Sequence, residues 1–167
     1  MFTSYFRCHL ELMFIEPDLY KMIMELSIIP TVDLICINTS NQLLLMKRNN
    51  KPLKDVYYFP WWRRNKLESL EDALVRKWKE ELMIDIDLSR IHYLESYDDI
   101  FPDSIFDNVP LHCFTVSYVY FLQDDELAHI HLDSQHSDLK LFDLDDPSLH
   151  EMVKIRIRDI LAKNIIK

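Results

Sequence analysis

The 167-residue chain contains no glycine. Ordinary usage of about 7% would place roughly a dozen in a chain of this length. Glycine takes positive φ without steric cost and lets backbone approach a ligand closely. Either other residues meet those needs here, or glycines have been removed deliberately, and the substitution pattern described below favours removal. Cysteine is scarce as well. Cys8, Cys36 and Cys113 are odd in number, widely spaced and without a C-x-x-C pair. That argues against a disulfide framework or a cysteine zinc site and fits a reducing, cytoplasmic setting. Cys36 sits in an apolar run and reads as a small buried hydrophobe. No apolar run approaches the roughly 20 residues of a membrane helix, so no membrane partner is expected. The opening MFTSYFRCHLELMF has one early Arg and no small-residue cleavage site, so no secretory signal is expected either. Positive charge is in deficit: 19 Lys and Arg stand against 28 Asp and Glu, a net charge of −9. The global field therefore repels nucleic acid, and none is expected as a partner. An anionic substrate would need a divalent metal or a few well-placed arginines.

What is present describes a globular domain. Hydrophobic residues make up 49% and charged residues 28%, in a chain long enough to bury one full core. Residues 1–167 read as a single domain with a helical lead-in (1–29), a core (30–147) and a C-terminal helical segment (148–167). In the lead-in, Leu19, Met22, Ile23 and Leu26 recur at helical spacing behind Pro17 and Asp18, and Pro30 stops the pattern. TVDLICIN at 31–38 reads as a strand, NTSN at 38–41 as a turn, and 43–47 as the return strand of a hairpin. Residues 48–55 read as a loop and 56–59 as a short aromatic strand ending at Pro60. Ser69 and Asp72 form an S-x-x-D cap. Behind it Leu70, Leu74, Trp78 and Leu82 make one apolar helical face, ending near Met83. Residues 92–97, 112–122 and 139–142 are further strands, and the stretch 98–110 reads as a long loop. A closing amphipathic helix spans 148–163. Strands before and after a central helix predict an α/β fold of the α+β kind, a mixed sheet sandwiched between helices.

On the central helix Arg76 and Glu80 are four apart, as are Lys77 and Glu81, and Glu80 and Glu81 are adjacent near its end. Carboxylates beside a phosphorylated substrate suit magnesium. The same spacing also describes an ordinary solvated face with i,i+4 ion pairs.

Residues 62–84 resemble the Nudix box, G-x5-E-x7-R-E-U-x-E-E-x-G-U, in which U is aliphatic. Glu68, Arg76, Glu80, Glu81 and Ile84 match it. Trp62 and Met83 stand at its two glycines, Lys77 at its first helix glutamate, and Trp78 at an aliphatic position. The stretches VDLICIN, LLLMKRNNKP, YYFPWWRRNK and LDSQHSDLKLF extend the likeness over residues 30–143. They resemble the branch of this family that hydrolyses GDP-mannose. Met46, Trp61, Trp62 and Met83 fill glycine positions of that branch. Asp99 and Cys113 replace a His and a Tyr.

The resemblance implies magnesium-dependent hydrolysis of a GDP-sugar, with Mn2+ as an alternative metal. GDP-mannose would yield GDP and mannose by inverting attack at the sugar carbon. It implies a metal held by Glu81, Gln135, Glu80 and the backbone carbonyl of Trp61, and a general base at His136. Arg48 and Arg63 would bind the diphosphate and stabilise the departing GDP, with Asp33 orienting the cluster and His112 touching substrate. Read without the resemblance, His136, Arg48 and Arg63 are surface or loop charges, His112 is as readily structural, and Asp33 is a strand charge in need of a partner. Two other functions stay open: a Nudix pyrophosphatase attacking phosphorus, and a catalytically silent domain binding a nucleotide or a protein. An engineered glycine-free variant is compatible with any of these. Trp61 and Trp62 would be strained if either position needed positive φ. The apolar Phe2, Tyr5, Phe6, Leu10, Met13 and Phe14 suggest a homodimer.

Overall fold

The computed structural model describes residues 15–82, 85–130 and 136–166, with the side chains of Glu81 and His136 outside that description. Cys8, Met83, Ile84, Gln135 and the N-terminal apolar residues lie outside the described residues, and with them the homodimer expectation. The elements in chain order are α1 (Pro17–Leu26), β1 (Ile29–Ile37), β2 (Leu43–Arg48), β3 (Tyr57–Tyr58), β4 (Trp61–Arg63), α2 (Leu70–Leu82), β5 (Ile91–Phe101), β6 (Leu111–Phe121), α3 (Asp124–Ala128), β7 (His136–Phe142) and α4 (Glu151–Ala162).

The seven strands form one mixed sheet, ordered β3-β2-β1-β6-β5, with β4 pairing β1 and β7 pairing β2. At its centre β1 runs antiparallel to β2 and β4 and parallel to β6. A central strand covered on both faces should be apolar throughout, and β1 is buried at every position but Pro30. Alternation sends Ile35 and Ile37 to the face packed by Val153, Ile157 and Ile160 of α4. Val32, Leu34 and Cys36 face Leu74, Trp78 and Leu82 of α2. The sheet is thus sandwiched between α2 and α4, as the sequence predicts. Met24 of α1 packs on Ile29, Phe101, Leu111 and Cys113.

The α2 cap holds in a modified form. The Ser69 hydroxyl accepts the Asp72 N–H at 3.0 Å and donates to the Asp72 carboxylate at 2.7 Å. Trp78, wholly buried, meets Tyr120 edge-on at 5.3 Å. Burying each large side chain of this face is worth about 1.5–3 kcal/mol.

Several local expectations are corrected. The lead-in helix ends at Leu26, before Pro30, and the strand expected from residue 31 already begins at Ile29. Pro30 lies second in β1, where its missing N–H is tolerated at a strand's start. Beyond Pro60, where the sequence reading ends its aromatic strand, Trp61–Arg63 forms a further strand. The stretch predicted as a loop from residue 98 is still β5 as far as Phe101, paired with β6 throughout. β7 begins at His136, three residues before the apolar run. α3 was not predicted. Its N-terminus carries a capping box between Gln123 and Glu126, and Arg90 donates to Glu126 at 2.5 and 2.8 Å.

Without glycine, positive φ falls to Asn41, Leu53, Asp55, Leu67, Asn108 and Asn164 among the described residues. Asn and Asp tolerate this region better than other side chains. Leu67, at φ 65°, does not. Its turn is held by Glu68, whose carboxylate accepts the Asn65 N–H at 2.8 Å and whose carbonyl accepts from Arg64 at 2.8 Å. Trp61 and Trp62 take strand backbone, opposite Asp33 and Val32 of β1, so the anticipated strain is not found there.

Candidate active site

Three sequence-predicted residues come together. Arg48 at the end of β2, and Trp61 and Arg63 on one face of β4, line a cavity of about 150 Å³. Lys51, Tyr20 of α1, Thr31 and Cys113 complete its polar wall. The Arg48 guanidinium lies 5.2 Å over the Trp61 ring, and its Nε donates to the Pro52 carbonyl at 2.9 Å. The Arg63 guanidinium lies 5.5 Å over the Tyr20 ring. In an acidic protein this clusters positive charge at one point, as an anionic ligand would require. Burial pushes the Tyr20 phenol up, against the pull of Arg63, and lifts the Cys113 thiol to about 12. Neither group is therefore an anion competing with a bound phosphate.

Arg48 is also the register partner of His136 across the β2–β7 pair. The predicted base and a predicted diphosphate ligand thus share one sheet position at the backbone level. Gln135 lies outside the described residues.

Asp33 does not line the cavity. It is fully buried beneath it, two residues along β1 from Thr31, and its partner is Arg156 of α4. Arg156 donates to Asp99 at 2.6 Å and lies 3.5 Å from Asp33, which also accepts from Ser117 at 2.9 Å. The Arg156 guanidinium stacks 3.7 Å from the Tyr97 ring. Burial first, then the nearby Asp99, push the Asp33 carboxyl up to about 7, against the pull of Arg156. His112 is on the other face of β6 from Leu111 and Cys113, outside this cavity, with Nε2 3.3 Å from Asp98.

The box helix lies across the sheet. Arg76 grips Glu68 with two hydrogen bonds, 2.5 and 2.9 Å long. Burial opposes the charge on Glu68, but Arg76 and the Asn65 N–H hold its carboxyl below the usual range. This pair ties the loop before α2 to the helix. Glu80 is turned outward, and its carboxylate lies 2.9 Å from Lys77 and 3.5 Å from Arg76. Among the described residues no three acidic, histidine or cysteine side chains converge. One carboxylate beside two cations is a poor donor set for a divalent metal. The described residues alone do not build the expected metal site, and the remaining expected side chains, Glu81 and Gln135, lie outside that description.

Sequence reasoning missed Tyr20, Lys51 and Arg156. Lys51 sits in the RNNKP stretch already singled out. Arg156 interrupts the apolar face of α4 between Val153 and Ile157 and Ile160, which marks a buried cation seeking a buried anion such as Asp33. No local signal brings Tyr20, 28 positions before Arg48 in the chain, to the site.

Comparison with known proteins agrees with this architecture. The profile described as NUDIX domain matches residues 28–163. The low-salt glycan biosynthesis protein Agl8 of Haloferax volcanii is 33% identical over 125 residues, covering 74% of this chain and 76% of that protein. The NUDIX domain of Shewanella oneidensis NrtR, solved with ADP ribose, superposes with a TM-score of 0.62 at 18% identity over 98% of this chain and 99% of that one. A MutT/nudix family protein from Enterococcus faecalis superposes with a TM-score of 0.56 at 20% identity, over 85% of this chain and 51% of that one. The chain thus spans about half the length of the latter protein. At these identities the two structures speak for the fold alone. No helix among the described residues is long and apolar enough to cross a membrane. The profile match over most of the length, and the sheet held between α2 and α4, establish that this chain belongs to the Nudix family.

Proposed function

We propose that this Nudix domain hydrolyses a nucleoside-diphosphate sugar of the GDP-mannose class, with attack at the sugar carbon. The observation that carries the reading is the convergence of Arg48, Lys51 and Arg63 on one cavity, with His136 in register with Arg48. Guanidinium groups bind diphosphate oxygens through paired, charge-assisted hydrogen bonds. In the proposed step His136 takes a proton from water, for which an imidazole is suited near neutral pH. The water oxygen bonds to the anomeric carbon, and the bond from that carbon to the diphosphate oxygen breaks. GDP leaves with the electron pair, its new charge held by Arg48, Lys51 and Arg63. The name of the Haloferax relative, a glycan biosynthesis protein, agrees with nucleotide-sugar chemistry.

Asp33 and His112 have no direct part in this step. Asp33 lies under the cavity floor and supports it. Mg2+ or Mn2+ would be held by Glu81, Gln135 and the Trp61 carbonyl beside Glu80, and when bound would neutralise charge on the leaving diphosphate.

The test is proton NMR of the protein mixed with GDP-mannose, with and without Mg2+. β-Mannose and GDP, lost in His136→Ala, are the expected products. Mannose-1-phosphate and GMP would mean attack at phosphorus and would overturn the mechanism. A second reading, a silent nucleotide-binding domain, is favoured by the pairing of Glu80 with Lys77, since it occupies a box carboxylate with a cation. GDP binding with no turnover would select it.

A further inference from the structure

We infer that the ion pair between Lys51 and Asp103 is a latch across the cavity mouth, in which Asp103 competes with an anionic ligand for the Lys51 ammonium. The inference rests on the cavity reading above. It makes Asp103, which stands outside the cavity lining, a residue that sets ligand affinity through Lys51.

Two loops form the mouth. The loop between β2 and β3 brings Lys51 and Pro52 to the cavity wall, and the loop between β5 and β6 brings Ile105. Lys51 and Ile105 both stay well exposed, which places them at the opening and not at the floor. Lys51 Nζ lies 4.0 Å from Asp103 Oδ2, so the pair reaches from one loop to the other. Each charge stands next to an anchored residue. The Pro52 carbonyl accepts from Arg48 Nε at 2.9 Å. The buried Ser104 hydroxyl accepts the Phe106 N–H at 3.1 Å and lies 3.2 Å from the Phe106 carbonyl, to which it donates. The Phe106 ring in turn meets Tyr20 edge-on. The backbone behind both charges is thus fixed, and the exchange falls to the side chains.

The weakness of the pair suits it to this role. With both side chains half-exposed at 4.0 Å, it holds the loops only lightly against water and salt. A buried pair such as Arg156 with Asp99 could not open in this way. A diphosphate carries more negative charge than one carboxylate and offers more acceptor oxygens, so it draws the ammonium inward. Lysine fits the exchange, being a point charge on a flexible four-carbon stem that can swing between two acceptors. Asp103 is then left half-exposed, where water solvates its charge.

The experiment is calorimetric titration of GDP into the full chain and into Asp103→Asn, Asp103→Glu, Lys51→Gln and the Asp103→Asn/Lys51→Gln pair. Melting temperatures are taken alongside to verify folding. Asp103→Asn releases Lys51 and is expected to bind GDP about threefold tighter, the scale of an exposed ion pair. Asp103→Glu keeps the carboxylate and is expected to stay close to wild type. In the Lys51→Gln background the Asp103→Asn change is expected to add nothing, because its effect passes through Lys51. An equal gain in that background would mean simple repulsion between Asp103 and the ligand, and would overturn the latch. Unchanged or weaker GDP binding by a folded Asp103→Asn protein, or an equal gain in Asp103→Glu, would overturn it as well, with the cavity reading intact. Absence of GDP binding by the wild-type chain and by Asp103→Asn alike would overturn the cavity reading and this inference together.

Discussion

Arg156 donates to Asp99 across 2.6 Å in the interior of the protein, joining the C-terminal helix to strand β5 with neither side chain more than 3% exposed. Asp33 on β1 shares the same guanidinium. Removing one member of such a cluster leaves the others charged and unpaired, which costs about 3–5 kcal/mol. Arg156→Ala is therefore expected to lose a large share of the stability of a domain this size. The fall would be read as a lower urea midpoint with an unchanged slope. A midpoint equal to wild type would mean that the cluster does not hold α4 to the sheet.

The same cluster predicts a pH dependence. The Asp33 carboxyl titrates at about 7 in the folded chain, against an ordinary value of 3.8. Between those values the folded state binds the extra proton, so stability falls as pH rises. The contribution is fully present below pH 3.8 and is lost as pH passes through 7. The urea midpoint should be higher at pH 6 than at pH 8, with a slope of at most about 1.4 kcal/mol per pH unit. Asp33→Asn, which stays neutral, should flatten that slope. At lower pH, Glu68, Glu95 and Glu126 work in the opposite sense, because their carboxyls are held below the usual range. An equally steep fall in Asp33→Asn would assign the effect elsewhere.

Leu67 is 79% exposed and sits at φ 65°. A Cβ in that region costs about 1–2 kcal/mol, partly offset by the greater freedom of an unfolded glycine chain. Leu67→Gly should therefore stabilise this glycine-free protein by roughly 0.5–1 kcal/mol. Thermal melting checks this. A lower melting temperature would show that Leu67 makes packing contacts worth more than its backbone strain.

Lys77 lies 2.9 Å from Glu80, at the position where the family box carries a glutamate. Lys77→Glu removes one of the two cations beside Glu80, leaving Arg76 at 3.5 Å, and adds a second carboxylate one helical turn away. Charge changes at this spacing are worth about 1 kcal/mol or more. Mn2+ affinity, measured by the loss of its free electron paramagnetic resonance signal, should rise by about tenfold. Equal affinities in the two proteins would indicate that metal is bound away from Glu80 or not at all.

Much of the fold was legible along the chain because it is written in local periodicity. The four-residue spacing of Leu70, Leu74, Trp78 and Leu82 specifies the face of α2, and the apolar run at 31–37 specifies a strand covered on both sides. Boundaries failed where context overrode propensity. Pro30 is tolerated because it falls at the start of β1. The 98–101 stretch, polar in its first half, is a strand because β6 pairs with every residue of it. β4 was hidden by Pro60, although its two tryptophans are good strand formers. Of the candidate site, Arg48, Trp61 and Arg63 were found through a motif and then proved to share a cavity.

By itself, then, the sequence determined the family, the helix and strand periods, and the need of Asp33 for a partner. These follow from spacing and from the cost of burying a lone charge, both readable without coordinates. Tertiary structure alone decided which partner. Asp33 meets an arginine 123 positions away and shares it with Asp99, 57 positions from that arginine. It also placed the Tyr20 ring beneath the Arg63 guanidinium and left His112 outside the cavity. Such pairings depend on how the sheet aligns its strands and where α1 and α4 dock upon it, and no local pattern encodes that geometry.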